Sequence, residues 1–149
     1  MSLDPFVYIA HSGTMEIKVM RLSVETGELE PAQTISATGP RPCEPAASLP
    51  LTVSPDRRFL YAAIRVQPYS VISFAIDGSS GRLTYLGRSP LPDSVTYIRT
   101  DHTGRFLFAA AIPESREKPR KSSICVSPIG VHGVVLAPNQ VVRTLPKTH

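Results

Sequence analysis

Apolar and polar residues alternate in short runs along most of this chain, and turn residues separate the runs. In EIKVMRL (16–22) and SVISFAI (70–76) the apolar positions fall at roughly every second residue, at Ile17, Val19 and Leu22 and at Ile72, Phe74 and Ile76. That is the period of a half-buried strand, because successive side chains leave opposite faces. Other runs carry no charge inside them: FVYIA (6–10), FLYAAI (59–64) and FLFAAAI (106–112). Aromatic and aliphatic residues of this kind also read as strands. Gly27, Gly81 and Gly133 sit in polar turns such as VETGE and DGSSG. A hairpin turn there requires positive φ, which glycine adopts without steric cost. Nowhere do apolar residues recur at i, i+3, i+4 and i+7 over three turns, and proline interrupts most windows. The pattern predicts an all-β chain.

The strands come in a repeating order. LTVSPDRRFLYAA (51–63) returns as IRTDHTGRFLFAA (98–110), and PFVYIAHS (5–12) aligns with the second half of both. An alternating strand, a Gly turn and a further strand follow each copy, at 16–32, 70–86 and, more loosely, 123–138. SPDRR and DHTGR are turns, in which Pro presets φ, Asp bonds its own backbone and Gly opens the conformation. One unit therefore holds four strands in about 40–45 residues, the period of a β-propeller blade. The predicted fold is an all-β propeller of about three four-stranded blades: blade one at 1–36, blade two at 47–90 and blade three at 91–142. Proline-rich ATGPRPCEPAAS (37–48) and IPESREKPRKSS (112–123) read as insertions between or within them. A β-sandwich fits the strand density but not this ordered repeat of dissimilar parts.

Composition narrows the function classes. The 149 residues are enough for one core, and 42% are hydrophobic against 19% charged. Of the net charge of +4, Arg116, Lys118, Arg120 and Lys121 against Glu114 and Glu117 supply +2, so the basicity is partly one loop. No aromatic residue interleaves that cluster, which argues against a nucleic-acid surface. The longest apolar run, FLFAAAI, is far short of the roughly 20 residues that span a bilayer. The N-terminal MSLDPFVYIA lacks the charge and the apolar length of a signal peptide. Cys43 and Cys125 are distant and without CxxC spacing, so they read as free thiols in a reducing compartment, with no metal site. The expectation is a cytoplasmic protein with no cofactor.

The run PLTVSPDRRFLYAAIR, with SVISFAID, GRLTYLG and LPDSVTYIRTDHTGRFLF after it, resembles the lactonase-type β-propellers, the bacterial 6-phosphogluconolactonases and the carboxymuconate cyclases among them. The resemblance extends from about Phe6 to His149 and is strongest from Pro50 to Phe108. The absence of Trp separates the chain from the WD40 type. The resemblance implies a seven-bladed ring of roughly twice this length, of which this chain matches the N-terminal part, about three blades. With the chain stopping at His149, blade edges would be exposed and self-association through them is expected.

The resemblance implies a hydrolase of sugar metabolism that opens 6-phosphogluconolactone to 6-phosphogluconate, at a site built from loops of several blades. The alternatives are a muconate-type lactone cyclase and an inactive or scaffold-like truncated propeller. Lactone opening needs a base for water, donors for the oxyanion and a cation for the phosphate. By the family match, His149 in LPKTH is the candidate acid or base. Arg65, which follows FLYAAI, is the candidate anion binder. Tyr97 and Arg99 alternate on SVTYIRTD and are expected to face the channel and the substrate. His11, His102 and His132 read as turn or loop residues, and Asp56 and Asp101 as turn formers. No phosphate loop, zinc-protease motif or nucleophile elbow is present.

Overall fold

The computed structural model describes residues 4–112 and 122–145. Those residues form three antiparallel sheets and no helix. The first holds β1 (Phe6–His11), β2 (Glu16–Leu22) and β3 (Leu29–Ser36) in that order. The second holds β4 (Leu51–Val53), β5 (Phe59–Ile64), β6 (Ser70–Ile76) and β7 (Leu83–Pro90). The third holds β8 (Val95–Thr100), β9 (Phe106–Ala111), β10 (Ser123–Pro128) and β11 (Gln140–Arg143). In each sheet every strand pairs with its sequence neighbour, as in a propeller blade. The first sheet has three strands where the repeat predicts four. PFVYIAHS aligns with FLYAAI, so β1 is the counterpart of β5 and nothing described corresponds to β4.

Two apolar cores explain why some runs alternate and others do not. Ile17, Val19, Leu60, Ala62, Ile64 and Phe74 are buried between the first and second sheets. Tyr61, Ala63, Val71, Ile98, Leu107 and Cys125 are buried between the second and third. Strand β5 supplies residues to both, so it reads as unbroken apolar sequence. Strand β9 has a similar text, FLFAAA, but is covered on one side at its second and third residues. Leu107, Ala109 and Ala111 face the second sheet, while Phe108 is 41% exposed on a face that no described element covers.

The seams between sheets repeat one device. Phe6, at the start of β1, lies under Gly81 in the β6–β7 turn of the next sheet, and Phe59, at the start of β5, lies under Gly133. Both glycines have positive φ, +67° and +82°. A Cβ at either would come within 2.2 and 2.1 Å of the phenyl ring. Two residues beyond each glycine the backbone is gripped by the preceding sheet. The Gln33 amide accepts from Leu83 N–H at 2.7 Å and donates to Leu83 C=O at 3.0 Å. Ser73 Oγ accepts from Val135 N–H at 3.1 Å, and the Ser89 hydroxyl donates to Val135 C=O. Satisfying these buried main-chain groups fixes sheet against sheet as well as burying apolar area.

The loose third copy departs from a regular hairpin. After Pro128 the chain makes one bridge, Ile129 to Val135, and β11 begins only at Gln140. Pro138 has no N–H to give the ladder, which interrupts the pairing. The stretch 37–48 is a loop, as read from its prolines, and it is tied down: Arg88 donates to the Thr38 and Arg41 carbonyls, and Ala46 N–H to Ser12 C=O. Most of 112–123 lies outside the described residues.

Candidate functional site

Antiparallel order fixes which loops share an end of the sheets. The β5–β6 connection, with Arg65, the stretch before β4, with Ser48, and the stretch before β8, with Ser94, all lie at one end. Arg65 joins them. Its Nε donates to Ser94 Oγ at 3.1 Å and its Nη1 to Ser48 Oγ at 2.7 Å. The guanidinium thus spans the stretches that lead into β4 and β8. A guanidinium carries five N–H donors, so three remain for an anion. Two side-chain anchors take much of the entropy out of a long side chain before any ligand arrives.

Asp93 caps the neighbouring turn: its carboxylate accepts from Ser94 N–H at 2.7 Å, which sets the Ser94 hydroxyl for Arg65. Sequence reasoning missed both serines, because a Ser in a proline-rich loop carries no signal of its partner. The link between 48, 65 and 94 exists only in three dimensions.

Tyr97 and Arg99 do alternate on one face of β8, and both are exposed. That face turns away from the second sheet, since Ile98 between them is buried in the core of the second seam. Arg99 pairs with Phe108 and Tyr97 with Ala110 across the ladder. They are therefore elements of the uncovered face of the third sheet and are not brought together with Arg65. His149 lies outside the described residues. His11 closes β1 at the same end as Arg65, and β11 also runs toward that end.

At the opposite end, the turns behave as their sequences predict. The Asp56 carboxylate accepts from the Ser54 hydroxyl at 2.6 Å and from Arg58 N–H at 3.1 Å, and these bonds lower its pKa. Burial would push the Asp101 carboxyl up. Donation from the Thr103 hydroxyl and from the N–H groups of Phe106, Thr103 and Arg105 outweighs it and holds the group down at about 2. Gly104 takes φ of +71°, and its counterpart Arg57 takes +60°. His102 sits in this turn. His132, beside Gly133, lies in the connection after β10.

Among the described residues no three His, Cys, Asp or Glu side chains gather as metal ligands would. No helix there is long and apolar enough to cross a membrane. Cys43 and Cys125 are unpaired, and burial pushes the Cys125 thiol up to about 11.

The comparisons agree with this architecture. A 6-phosphogluconolactonase of Yersinia enterocolitica is 36% identical over 143 residues, covering 96% of this chain and 38% of that protein. The chain thus spans well under half the length of such relatives. Among solved structures, the periplasmic gluconolactonase PpgL of Pseudomonas aeruginosa superposes with a TM-score of 0.67 at 26% identity, covering 92% of this chain and 37% of that one. A protein of unknown function from Desulfotomaculum acetoxidans gives a TM-score of 0.70 at 15% identity, over 96% of this chain and 41% of that one, and shares the fold. The sequence matches the family described as "Lactonase, 7-bladed beta-propeller" over residues 6–149, and with three propeller sheets in the expected order the chain belongs to that family.

Proposed function

We propose that this chain is part of a lactone hydrolase of sugar metabolism and that 6-phosphogluconolactone is its substrate. The observation that carries the reading is the Arg65 guanidinium, anchored by Ser48 and Ser94 at the loop end of the second seam with donors to spare. The Yersinia relative's name supplies the substrate class. In the reaction, water adds to the lactone carbonyl and loses a proton to a base. The tetrahedral intermediate then expels the ring oxygen, which takes up a proton, leaving a carboxylate and a hydroxyl. Arg65 is assigned to the substrate's anionic group, through the two-pronged geometry that suits phosphate. His149 is the candidate base; Tyr97 and Arg99, on the uncovered face of the third sheet, are not assigned to the Arg65 site. The compartment we favour is the cytoplasm, although the Pseudomonas relative is periplasmic.

A non-catalytic scaffold is the second reading. It is favoured by the uncovered face of the third sheet, where Tyr97 is 52% and Phe108 41% exposed. On this reading the face is an association surface between chains.

The test is base uptake at constant pH with 6-phosphogluconolactone and with unphosphorylated gluconolactone, on material whose mass has been fixed by light scattering. The reading expects hydrolysis above the spontaneous rate. It also expects Arg65→Ala to cost about tenfold or more in kcat/KM on the phosphorylated lactone, and clearly less on the other. Equal losses on both would make Arg65 a structural tie. A rate no faster than spontaneous would favour the scaffold.

A further inference from the structure

A concave site lies at the other end of the sheets, away from Arg65. The β4–β5 turn, the β8–β9 turn and the loop after β10 enclose a cleft of about 430 Å³. Its apolar wall is Pro55, Phe59, Ile129 and Val131, and its charged wall is Arg58 and Arg105 with Asp56. The two arginines are equivalent positions of the repeat, each directly after the turn's positive-φ residue. Each guanidinium sits over the ring of the phenylalanine that follows it, Arg58 at 5.4 Å from the Phe59 centroid and Arg105 at 5.8 Å from that of Phe106. Neither side chain makes an ion pair or hydrogen bond among the described residues, whose ion pairs are those of Arg21 with Asp4 and Glu30. The nearby acids are hydrogen-bonded locally, Asp56 by Ser54 and the Arg58 N–H, and Asp101 by Thr103 and the N–H groups of Arg105 and Phe106; the Arg58 charge also acts on Asp56, without an ion-pair contact. The cleft therefore presents two pre-positioned cations with unused donors beside an apolar surface.

We infer that this cleft binds a small organic oxyanion, with its phosphate or carboxylate group between Arg58 and Arg105 and an apolar body against Phe59, Ile129 and Val131. Stacking on a ring restrains each guanidinium while leaving its N–H edge open, the arrangement that favours bidentate anion recognition. Gly104 and Gly130 add backbone that a ligand can approach closely. The inference is independent of the lactonase reading, because none of its residues belongs to the Arg65 end.

The probe is phenyl phosphate, titrated into the labelled chain while backbone amide resonances are followed by NMR. Inorganic phosphate, benzoate and phenol are the companion arms. The expected result is saturable shifts centred on Gly104, Gly130 and Gly133. Arg58→Gln and Arg105→Gln should each weaken binding about tenfold or more, and Arg143→Gln, on β11, should leave it unchanged. Binding should also weaken as salt rises. A benzoate response equal to that of phenyl phosphate would show a site that takes either oxyanion, a weaker one a phosphate site, and a phenol response equal to both would overturn the proposal. Inorganic phosphate matching phenyl phosphate would remove the apolar body from the proposal. Shifts that never saturate, that survive both glutamine substitutions together in a chain with otherwise native resonances, or that map to the Arg65 end would overturn it.

Discussion

Replacing Gly81 by Ala tests the seam device directly, and Gly27→Ala is its internal control. Both glycines have positive φ, +67° at Gly81 and +75° at Gly27. An alanine in that region costs about 1–2 kcal/mol, offset by about 0.4–1 kcal/mol from a stiffer unfolded chain. These two contributions enter both variants alike. The surroundings differ: the added Cβ meets nothing within 4 Å at Gly27, but comes within 2.2 Å of the Phe6 ring at Gly81. Forcing that ring aside adds about 1–3 kcal/mol of overpacking. We therefore expect a net loss of about 1 kcal/mol for Gly27→Ala and about 2–4 kcal/mol for Gly81→Ala. For a chain of this size each 1 kcal/mol lowers Tm by about 2–4 °C. Urea unfolding followed by far-UV circular dichroism measures the difference, with no change of slope expected. Adding Phe6→Leu to Gly81→Ala should restore part of the loss, a non-additivity that direct contact predicts. Equal destabilisation by the two alanines would refute the argument, because it would leave the φ cost alone and no role for the Phe6 contact.

Other outcomes follow from the turns. Arg57 occupies at φ +60° the place that Gly104 fills in the next sheet. Arg57→Gly should therefore leave stability unchanged or raise it by up to about 1 kcal/mol, and a clear loss of thermal stability would show the backbone unstrained there. Asp101 is depressed from 3.8 to about 2 in the folded chain, so its contribution is complete above pH 4 and is lost as pH falls through 2. Asp101→Asn should flatten the stability profile over that window, and an unchanged acid limb in pH-dependent melts would contradict the assignment.

Much of the fold was legible in the sequence because its signals are local. Period-two burial, the positive-φ glycines at 27, 81 and 133 and the Asp-bonded turns before β5 and β9 depend on a few neighbouring residues, and they recur in order. Arg65 was legible only as a family position. Its partners Ser48 and Ser94 were not, because the contact joins three loops that only sheet stacking brings together. The cleft of Arg58 and Arg105 was hidden for a related reason: a turn arginine reads as a solvated charge until the next sheet's turn is placed beside it.

What the sequence determined by itself is the blade: which runs are strands, where they turn and which residues repeat. What only the tertiary structure decided is which copies of that repeat are covered. Leu29, Leu83 and Val135 are the same position, two beyond a turn glycine, yet they are 45%, 3% and 0% exposed. Tyr61 and Phe108 are likewise equivalent, and one is 0% and the other 41% exposed. The text of each copy prescribes a residue for a two-sided seam. Burial depends on a neighbouring sheet being present, and that is a property of the assembled stack that no single strand encodes.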